Sequence, residues 1–250
     1  MKKILLLMTV FMFITSICFA KKPCKGKDID WLRKHVPIPV STIESKKSVN
    51  GMCEIILKAG TRFIPVYAGK DFVLAGEMFQ EKIRKTEATL NSIKTKIAKN
   101  STEELNKAVA FTYTPENSTG KSIYMITDPL CPYCSQAAIG IKKIADETKT
   151  NIKVILYTVH GEDGIKKCEK AICNNYSFEK YINTDWKSEK VEEINCDSAD
   201  ELMKTAATVA QKIGITGVPA FVFEDGKQIA GGNLDKIRAK LSKSVKIAAK

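Results

Sequence analysis

The sequence is poor in the residues that mark several common classes of protein. It has only 14 glycines and 8 prolines among 250 residues, which excludes collagen-like and low-complexity chains. Hydrophobic residues make up 44% and charged residues 27%, so the chain can bury a core and is not intrinsically disordered. This length allows one or two globular domains.

Arginine is nearly absent although the chain is basic. The formal net charge is +12, yet only Arg33, Arg62, Arg84 and Arg238 could make the bidentate contacts that proteins use to read bases and phosphates. The lysines are spread along the chain and interleaved with Glu. We therefore expect a solvated lysine-rich surface and no nucleic-acid partner, with attraction to acidic partners as the alternative.

Long hydrophobic runs are missing after the first 20 residues. Residues 1–20 have a Lys2-Lys3 start, an apolar stretch and small residues at Cys18 and Ala20, the pattern of a signal peptide cleaved after Ala20. Acylation of Cys18 is the alternative, but Ile17 is not the small residue that a lipoprotein signal has there. The sequence predicts export to a bacterial periplasm.

Residues 21–79 are predicted to form a small α+β domain. A helix begins near Asp28 and ends before Pro37, and strand-like runs follow at 54–57, 62–67 and 72–74. So short a module has a marginal core, which a second copy of the module could stabilise. A disulfide between Cys24 and Cys53 would stabilise it as well.

Residues 80–110 are predicted to form a helical linker. The stretch from Gln80 to Lys99 lacks Gly and Pro, and its apolar residues follow helical spacing among alternating charges. Ser101 and Glu104 match a capping box that starts a second, shorter helix. We expect a mostly solvated spacer between two domains.

Residues 111–250 follow the order of a thioredoxin fold. Strands are predicted at 122–127, 152–159 and 220–223, with a helix from about Cys131 to Thr148 after the first of them. A long, mostly helical section precedes the third strand, and a final helix begins at Leu234. The predicted fold class is α/β with a helical insertion.

The chemistry is predicted at Cys131-Pro132-Tyr133-Cys134, where a strand gives way to a helix. The free N–H groups and dipole at a helix N-terminus favour a thiolate at Cys131, which becomes the nucleophile. Cys134, one turn further on, is shielded and can resolve the mixed disulfide. Pro132 suits the first helical turn because it needs no hydrogen-bond partner there.

The Cys-x-x-Cys motif has three alternative uses, namely a structural disulfide, a zinc site and a copper site. A plain structural disulfide is the simplest. Zinc usually needs four ligands, and the chain has two histidines, His35 and His160, and no second Cys-x-x-Cys, so we predict no metal site and no cofactor. Copper(I) held by the two thiolates remains an alternative.

Val218-Pro219 supplies a second signal. A proline entering the apolar strand 220–223 interrupts the strand pattern unless its placement is special. It resembles the cis-proline loop that faces the Cys-x-x-Cys of thioredoxin-fold oxidoreductases, which implies that the Val218 backbone pairs with the substrate. A chance Gly-x-Pro turn is the alternative.

The mature chain resembles the DsbC/DsbG family of periplasmic disulfide isomerases and reductases. The resemblance rests on the run from Thr127 to Cys134, which is closer to DsbG, and on 71–79, which resembles the end of the family's dimerisation domain. It implies a V-shaped homodimer, misfolded or oxidised exported proteins as clients, and a DsbD-type membrane reductase as partner. Val218 departs from the Thr usual in the isomerases and is commoner in DsbA-type oxidases.

The resemblance also implies a structural disulfide between Cys173 and Cys196. Cys168 is then left over, either as a half-buried thiol or as a partner in disulfide shuffling with Cys173. Asp128, three residues before Cys131, has two open roles, tuning the thiol or capping the turn. The rival functions are a DsbA-like oxidase, a sulfenic-acid reductase, and a non-catalytic chaperone or copper-binding protein.

Overall fold

The structure is a computed structural model, and it describes residues 22–37, 42–183, 185–188, 194 and 196–248. The predicted signal peptide, residues 1–20, lies outside these ranges. Within them, no helix has both the length and the apolar character needed to cross a membrane.

The N-terminal region is a helix on a four-stranded antiparallel sheet of order β1-β2-β3-β4. Asp28 begins the helix, because its carboxylate accepts a hydrogen bond from the Trp31 N–H at 2.8 Å. A two-stranded hairpin, β5 and β6, follows the sheet. The elements are α1 (Ile29–His35), β1 (Thr42–Val49), β2 (Met52–Ala59), β3 (Arg62–Ala68), β4 (Val73–Ala75), β5 (Phe79–Gln80) and β6 (Ile83–Arg84).

The core of this region is small and lies mostly between α1 and β2. Leu32, Cys53, Ile55, Leu57 and Val66 form its centre. On the opposite face of the sheet, buried Glu54 accepts a hydrogen bond from Tyr67 Oη at 3.2 Å. Tyr67 Oη also lies 2.5 Å from Thr86 Oγ1, so a polar contact ties this face to the helix that follows.

The linker prediction is wrong at its beginning. Residues 79–84 form the hairpin of β5 and β6, because Glu81 and Lys82 adopt positive φ angles of 52° and 60° in a tight turn. The first linker helix, α2 (Lys85–Asn100), starts only after it, and α3 (Thr102–Lys107) follows.

Two further linker expectations are corrected. Ser101 makes no side-chain capping bond, because its backbone (φ −101°, ψ 18°) is not extended and its hydroxyl points inward. The C-terminal part of α2 is packed, since Ala98 is buried in a hydrophobic cluster with residues of the second sheet. The helix is therefore not the mostly solvated spacer that its charges predict.

The second sheet has five strands in the order β11-β10-β8-β9-β7. Central β8 runs parallel to β9 and antiparallel to β10, with Ala220 opposite Ile126. Helix α4 makes the crossover between β8 and β9. The elements are β7 (Phe111–Tyr113), β8 (Ser122–Thr127), α4 (Pro132–Thr148), β9 (Asn151–Leu156), α5 (Gly161–Cys173), α6 (Phe178–Ile182), α7 (Asp185–Ser188), α8 (Asp197–Ile213), β10 (Ala220–Phe223), β11 (Gln228–Ala230) and α9 (Leu234–Ala248).

Both faces of this sheet are covered. Ile123 and Met125 of β8 point into a large cluster with α4, α9 and the inserted helices α5 to α7. Tyr124 and Ile126 point to the other face, where α2, α3 and α8 pack. Successive side chains of the fully buried strand β8 point to opposite faces of the sheet, so the core has two layers.

Candidate functional site

The chain between β8 and α4 places the two cysteines at the start of a helix. Cys131 is the last residue before the helix, and Pro132 is its first residue. The carbonyl of Cys131 accepts hydrogen bonds from the N–H groups of Cys134 and Ser135 at 3.0 and 3.2 Å. The first turn thus fixes both cysteines relative to the end of β8.

The two thiols have different surroundings. Cys134 is fully buried, whereas Cys131 is 6% exposed, and both are free thiols. Burial raises the pKa of Cys134 to about 12, although a hydrogen bond from the Asp128 N–H to its sulfur at 3.5 Å and one from Thr127 act in the opposite direction. Near neutral pH, Cys134 is therefore an inaccessible, protonated thiol.

The loop before β10 faces Cys131. The Val218-Pro219 peptide bond is cis, and Cys131 Sγ lies 3.9 Å from the carbonyl oxygen of Val218. The Pro219 carbonyl accepts a hydrogen bond from the Gly231 N–H at 2.8 Å, which fixes the loop against the end of β11. The fold brings Val218 and Pro219 to the cysteine pair because β10 lies beside β8.

Two cavities meet at this loop, and Val218, Pro219 and Gly231 line both. The tyrosine-side cavity, about 400 Å³, is completed by Tyr133, Gln136, Ala137, Gly232 and Leu234. The helix-side cavity, about 570 Å³, is completed chiefly by α2 and by residues 214–217 and 228–230. Tyr133 is 70% exposed, so its ring forms an open rim of the first cavity.

Asp128 is fully buried and is the hub of the backbone around the site. Its carboxylate accepts hydrogen bonds from the Leu130 N–H (2.8 Å), from Thr158 Oγ1 (2.9 Å) and from the Val159 N–H (2.7 Å). It therefore caps the turn before Cys131 and also holds the loop after β9. Its own N–H contacts Cys134 Sγ, so capping the turn and contacting the thiol are combined in one residue.

Two polar side chains at the site were not predicted from the sequence. His160 Nδ1 lies 2.7 Å from Asp128 Oδ2, and Lys187 Nζ donates a hydrogen bond to Ser135 Oγ at 2.8 Å. Burial alone would raise the pKa of Asp128, but hydrogen bonds from His160 and the neighbouring donors lower it below its usual value. Burial lowers the pKa of Lys187, against the opposing effect of Cys134, Asp128 and Cys131.

The remaining cysteines lie away from the reactive pair. Disulfides join Cys24 to Cys53 in the N-terminal region and Cys173 to Cys196 in the helical insertion, with Cα–Cα distances of 4.8 and 5.9 Å. Cys168 is a free thiol and fully buried, not half-buried as expected. Burial and the charges of Asp128 and Glu169 raise its pKa above the usual range, so it is inert in the folded protein.

Among the described residues, no three or more His, Cys, Asp or Glu side chains are grouped so that they could hold a metal ion. The groups that the fold places beside the cis-proline loop are the two thiols of the reactive pair. Their chemistry is thiol–disulfide exchange.

No curated protein matches the sequence. Similar solved structures include α-DsbA2, a thiol-disulfide exchange protein from Wolbachia pipientis (14% identity, covering 60% of this chain and 96% of that one, TM-score 0.47). The catalytic domain of Proteus mirabilis ScsC is 15% identical (60% and 98% covered, TM-score 0.49). Helicobacter pylori DsbG is 17% identical (74% and 92% covered, TM-score 0.39).

The family comparison extends over most of the second sheet and its helices. The model of the thioredoxin-like domain family matches residues 108–242, more than half of the chain. This match confirms the predicted thioredoxin-like α/β fold. The chain belongs to the thioredoxin-like domain family.

Proposed function

We propose that the protein is a periplasmic thiol–disulfide oxidoreductase that isomerises or reduces disulfides in misfolded or oxidised exported proteins. The observation that carries the proposal is the difference between the two thiols. Cys131, 6% exposed, lies at a helix N-terminus beside the Val218 carbonyl, and fully buried Cys134 lies one turn behind it with a raised pKa. An attacking thiol and a resolving thiol require this arrangement.

The reaction begins when the Cys131 thiolate attacks one sulfur of a client disulfide. The client S–S bond breaks, a protein–client mixed disulfide forms, and the second client sulfur leaves as a thiol after taking up a proton. In isomerisation, another client thiol attacks the client sulfur of the mixed disulfide and releases Cys131 with no net oxidation. In reduction, the Cys134 thiolate attacks the Cys131 sulfur of the mixed disulfide, the bond between Cys131 and the client breaks, and the client sulfur leaves as a thiol after taking up a proton. The oxidised pair is later reduced by a partner, for which we propose a DsbD-type membrane reductase.

We further propose a homodimer formed through the N-terminal region, as in the DsbC/DsbG family. Apolar side chains from 72 to 83 support this part of the proposal. Phe72, Leu74, Phe79 and Ile83 are between 47% and 63% exposed, and β4 is an edge strand. Exposed apolar residues next to an open strand edge are typical of an interface. A dimer would offer one client two reactive pairs, which favours repeated attack over release.

A DsbA-like oxidase is the second candidate, and Val218 favours it. The side chain before the cis-proline is apolar here, and the Cys131 thiol faces its carbonyl. As an oxidase, the protein would start with Cys131 and Cys134 joined. A client thiolate would attack Cys131, break the Cys131–Cys134 bond and form a mixed disulfide, with Cys134 leaving as a thiol. A second client thiolate would then attack the client sulfur and release Cys131, so that the client gains the disulfide and the pair becomes reduced.

Refolding of a scrambled model protein distinguishes these functions. Reduced wild-type protein should restore its native disulfides, and Cys134→Ser should retain part of that activity because isomerisation needs only the attacking thiol. Cys131→Ser is the matched control and should be inactive. Net disulfide formation in a reduced client, with no gain on the scrambled one, would favour the oxidase instead. Equal activity of the Cys131→Ser variant would contradict both proposals and favour a non-catalytic chaperone.

A further inference from the structure

The helix-side cavity beside the cis-proline loop has a charged wall that the exchange reaction does not use. Glu87, Asn91 and Lys94 of α2 line it. Their spacing of four and three residues places them on one face of the helix, and Ala98 continues that face. The volume of the helix-side cavity, about 570 Å³, lies within the range of about 300–1,000 Å³ typical of ligand sites.

The catalytic fold holds this helix face in place. Ala98 is buried in the cluster that covers the second sheet. Gly226, with φ +82°, allows the turn before β11 to approach the helix, since a Cβ there would collide with backbone atoms of Thr95 and Lys99. Lys94 therefore has a fixed position relative to the cis-proline loop, although it belongs to a different part of the sequence.

Glu87 and Lys94 are the two charged residues of α2 on this wall, and among the described residues Lys94 has no counter-ion. Glu87 is paired with Arg84 at 3.0 Å. Among the residues that the structure describes, no carboxylate forms an ion pair with Lys94 Nζ, which lies 5.7 Å from the ring centre of Phe63. Partial burial lowers the pKa of Lys94, with no opposing contribution from an acidic group. Exposed Lys236 adds a second cation on the cavity wall.

We propose that this cavity binds an acidic side chain of the client, located a few residues to one side of the reacting cysteine, with Lys94 as its charge partner. The proposal rests on the proposed thiol–disulfide exchange function and names a preferred substrate class for it. The client segment passes Val218, whose carbonyl is next to Cys131, so one side of the segment enters the helix-side cavity. The other side enters the tyrosine-side cavity.

The test uses peptides whose single cysteine carries a thionitrobenzoate disulfide. Attack by Cys131 joins protein to peptide and releases the coloured thiolate, so sulfur and electrons balance without a further reagent. Glutamate is placed at successive positions before and after the cysteine, with glutamine at the same position as the uncharged comparison. We expect glutamate to raise the second-order rate constant about three- to tenfold at one or two positions on one side.

Lys94→Gln should remove that preference, and Lys94→Arg should keep it. Lys96→Gln removes the same charge from an exposed position of the same helix and should leave the preference intact. Attraction by the net positive charge of the protein would instead accelerate glutamate peptides at every position alike. That result, or an unchanged preference in Lys94→Gln, would overturn the proposal. The free thionitrobenzoate dimer is the control for the exchange function: failure to react with it would overturn that function as well.

Discussion

The two sheets of this protein differ in how they reach stability. The five-stranded sheet is covered on both faces, and fully buried side chains such as Trp186 and Phe221 stabilise it. The four-stranded sheet has a much smaller apolar core, and the Cys24–Cys53 disulfide crosses it. Leu74 of its edge strand is exposed, and so is Phe79 of the adjoining hairpin. The reactive pair therefore lies on the sheet with the larger core, and these exposed apolar side chains lie on and beside the sheet with the smaller one.

The largest effect is expected from alanine substitution of a fully buried isoleucine in each sheet, Ile155 in β9 and Ile55 in β2. Each substitution by alanine should cost about 2–5 kcal/mol where it occurs, since it leaves a cavity. Ile155→Ala should unfold the catalytic region and abolish exchange with a small disulfide. Ile55→Ala should spare that exchange and reduce amide protection mainly in 42–75. Hydrogen exchange measures amide protection in both variants, and a thiol–disulfide exchange assay measures the reaction with the small disulfide. An equal loss of amide protection throughout the chain in both variants would contradict this expectation, because it would show one cooperative unit.

A comparable effect is expected from the disulfide of the four-stranded sheet. Replacing both Cys24 and Cys53 with serine reopens a loop with a sequence separation of 29, which costs about 3–4 kcal/mol in the chain-entropy account. The matched control replaces Cys173 and Cys196, separated by 23 residues. We expect each pair to lower amide protection in its own region. Denaturant unfolding followed by mass spectrometry tests this expectation. Loss of thiol–disulfide exchange activity in the variant that lacks Cys24 and Cys53 would contradict it.

Asp128→Asn tests the hub beneath the reactive pair. The Asp128 pKa is lowered in the folded state, so its carboxylate stabilises the fold above the unfolded pKa of about 4. This contribution is lost as the pH falls through the lowered folded pKa. We expect the variant to lose about 1–3 kcal/mol at pH 7 and the difference from wild type to shrink in acid. Asp200→Asn, at an exposed position of α8, is the control. A difference independent of pH would contradict the assignment.

A change similar in size to that at Asp128, but in association rather than in folding, is expected at the exposed edge of the four-stranded sheet. Leu74→Glu should weaken the proposed homodimer by about ten- to a hundredfold in dissociation constant, because it places charge in an apolar interface. Ile139→Glu introduces the same charge at a similarly exposed position of α4 and should not affect it. Analytical ultracentrifugation measures both. A wild-type protein that is monomeric at micromolar concentration would contradict the proposed interface.

Strands of the catalytic region could be predicted closely because their signals are local. The apolar runs 122–127 and 220–223 match β8 and β10, and turn residues bound each of them. In contrast, β1 was not predicted, since its sequence is largely polar and most of it is only half-buried or exposed. The hairpin at Glu81 and Lys82 also lacks the glycine or asparagine that normally signals such a turn.

The reactive site was predictable only in part for the same reason. Cys131 and Cys134 form a local motif, and Pro219 interrupts a recognisable strand. Lys187 and His160 reach the site through the tertiary fold, from the insertion and from the loop after β9. Their positions have no distinguishing spacing in the sequence, so their contacts emerge only once the helices are packed.

The most direct test of the central claim is intact-mass analysis of the Cys134→Ser and Cys131→Ser variants after each is incubated with a peptide disulfide. Cys134→Ser should form a stable mixed disulfide, mapped to Cys131, because the attacking thiol remains and the resolving thiol is gone. Cys131→Ser should form little adduct, since Cys134 is buried with a pKa raised to about 12. Comparable adducts on both variants, at the same rate near neutral pH, would contradict the assignment of Cys131 as nucleophile and Cys134 as resolver.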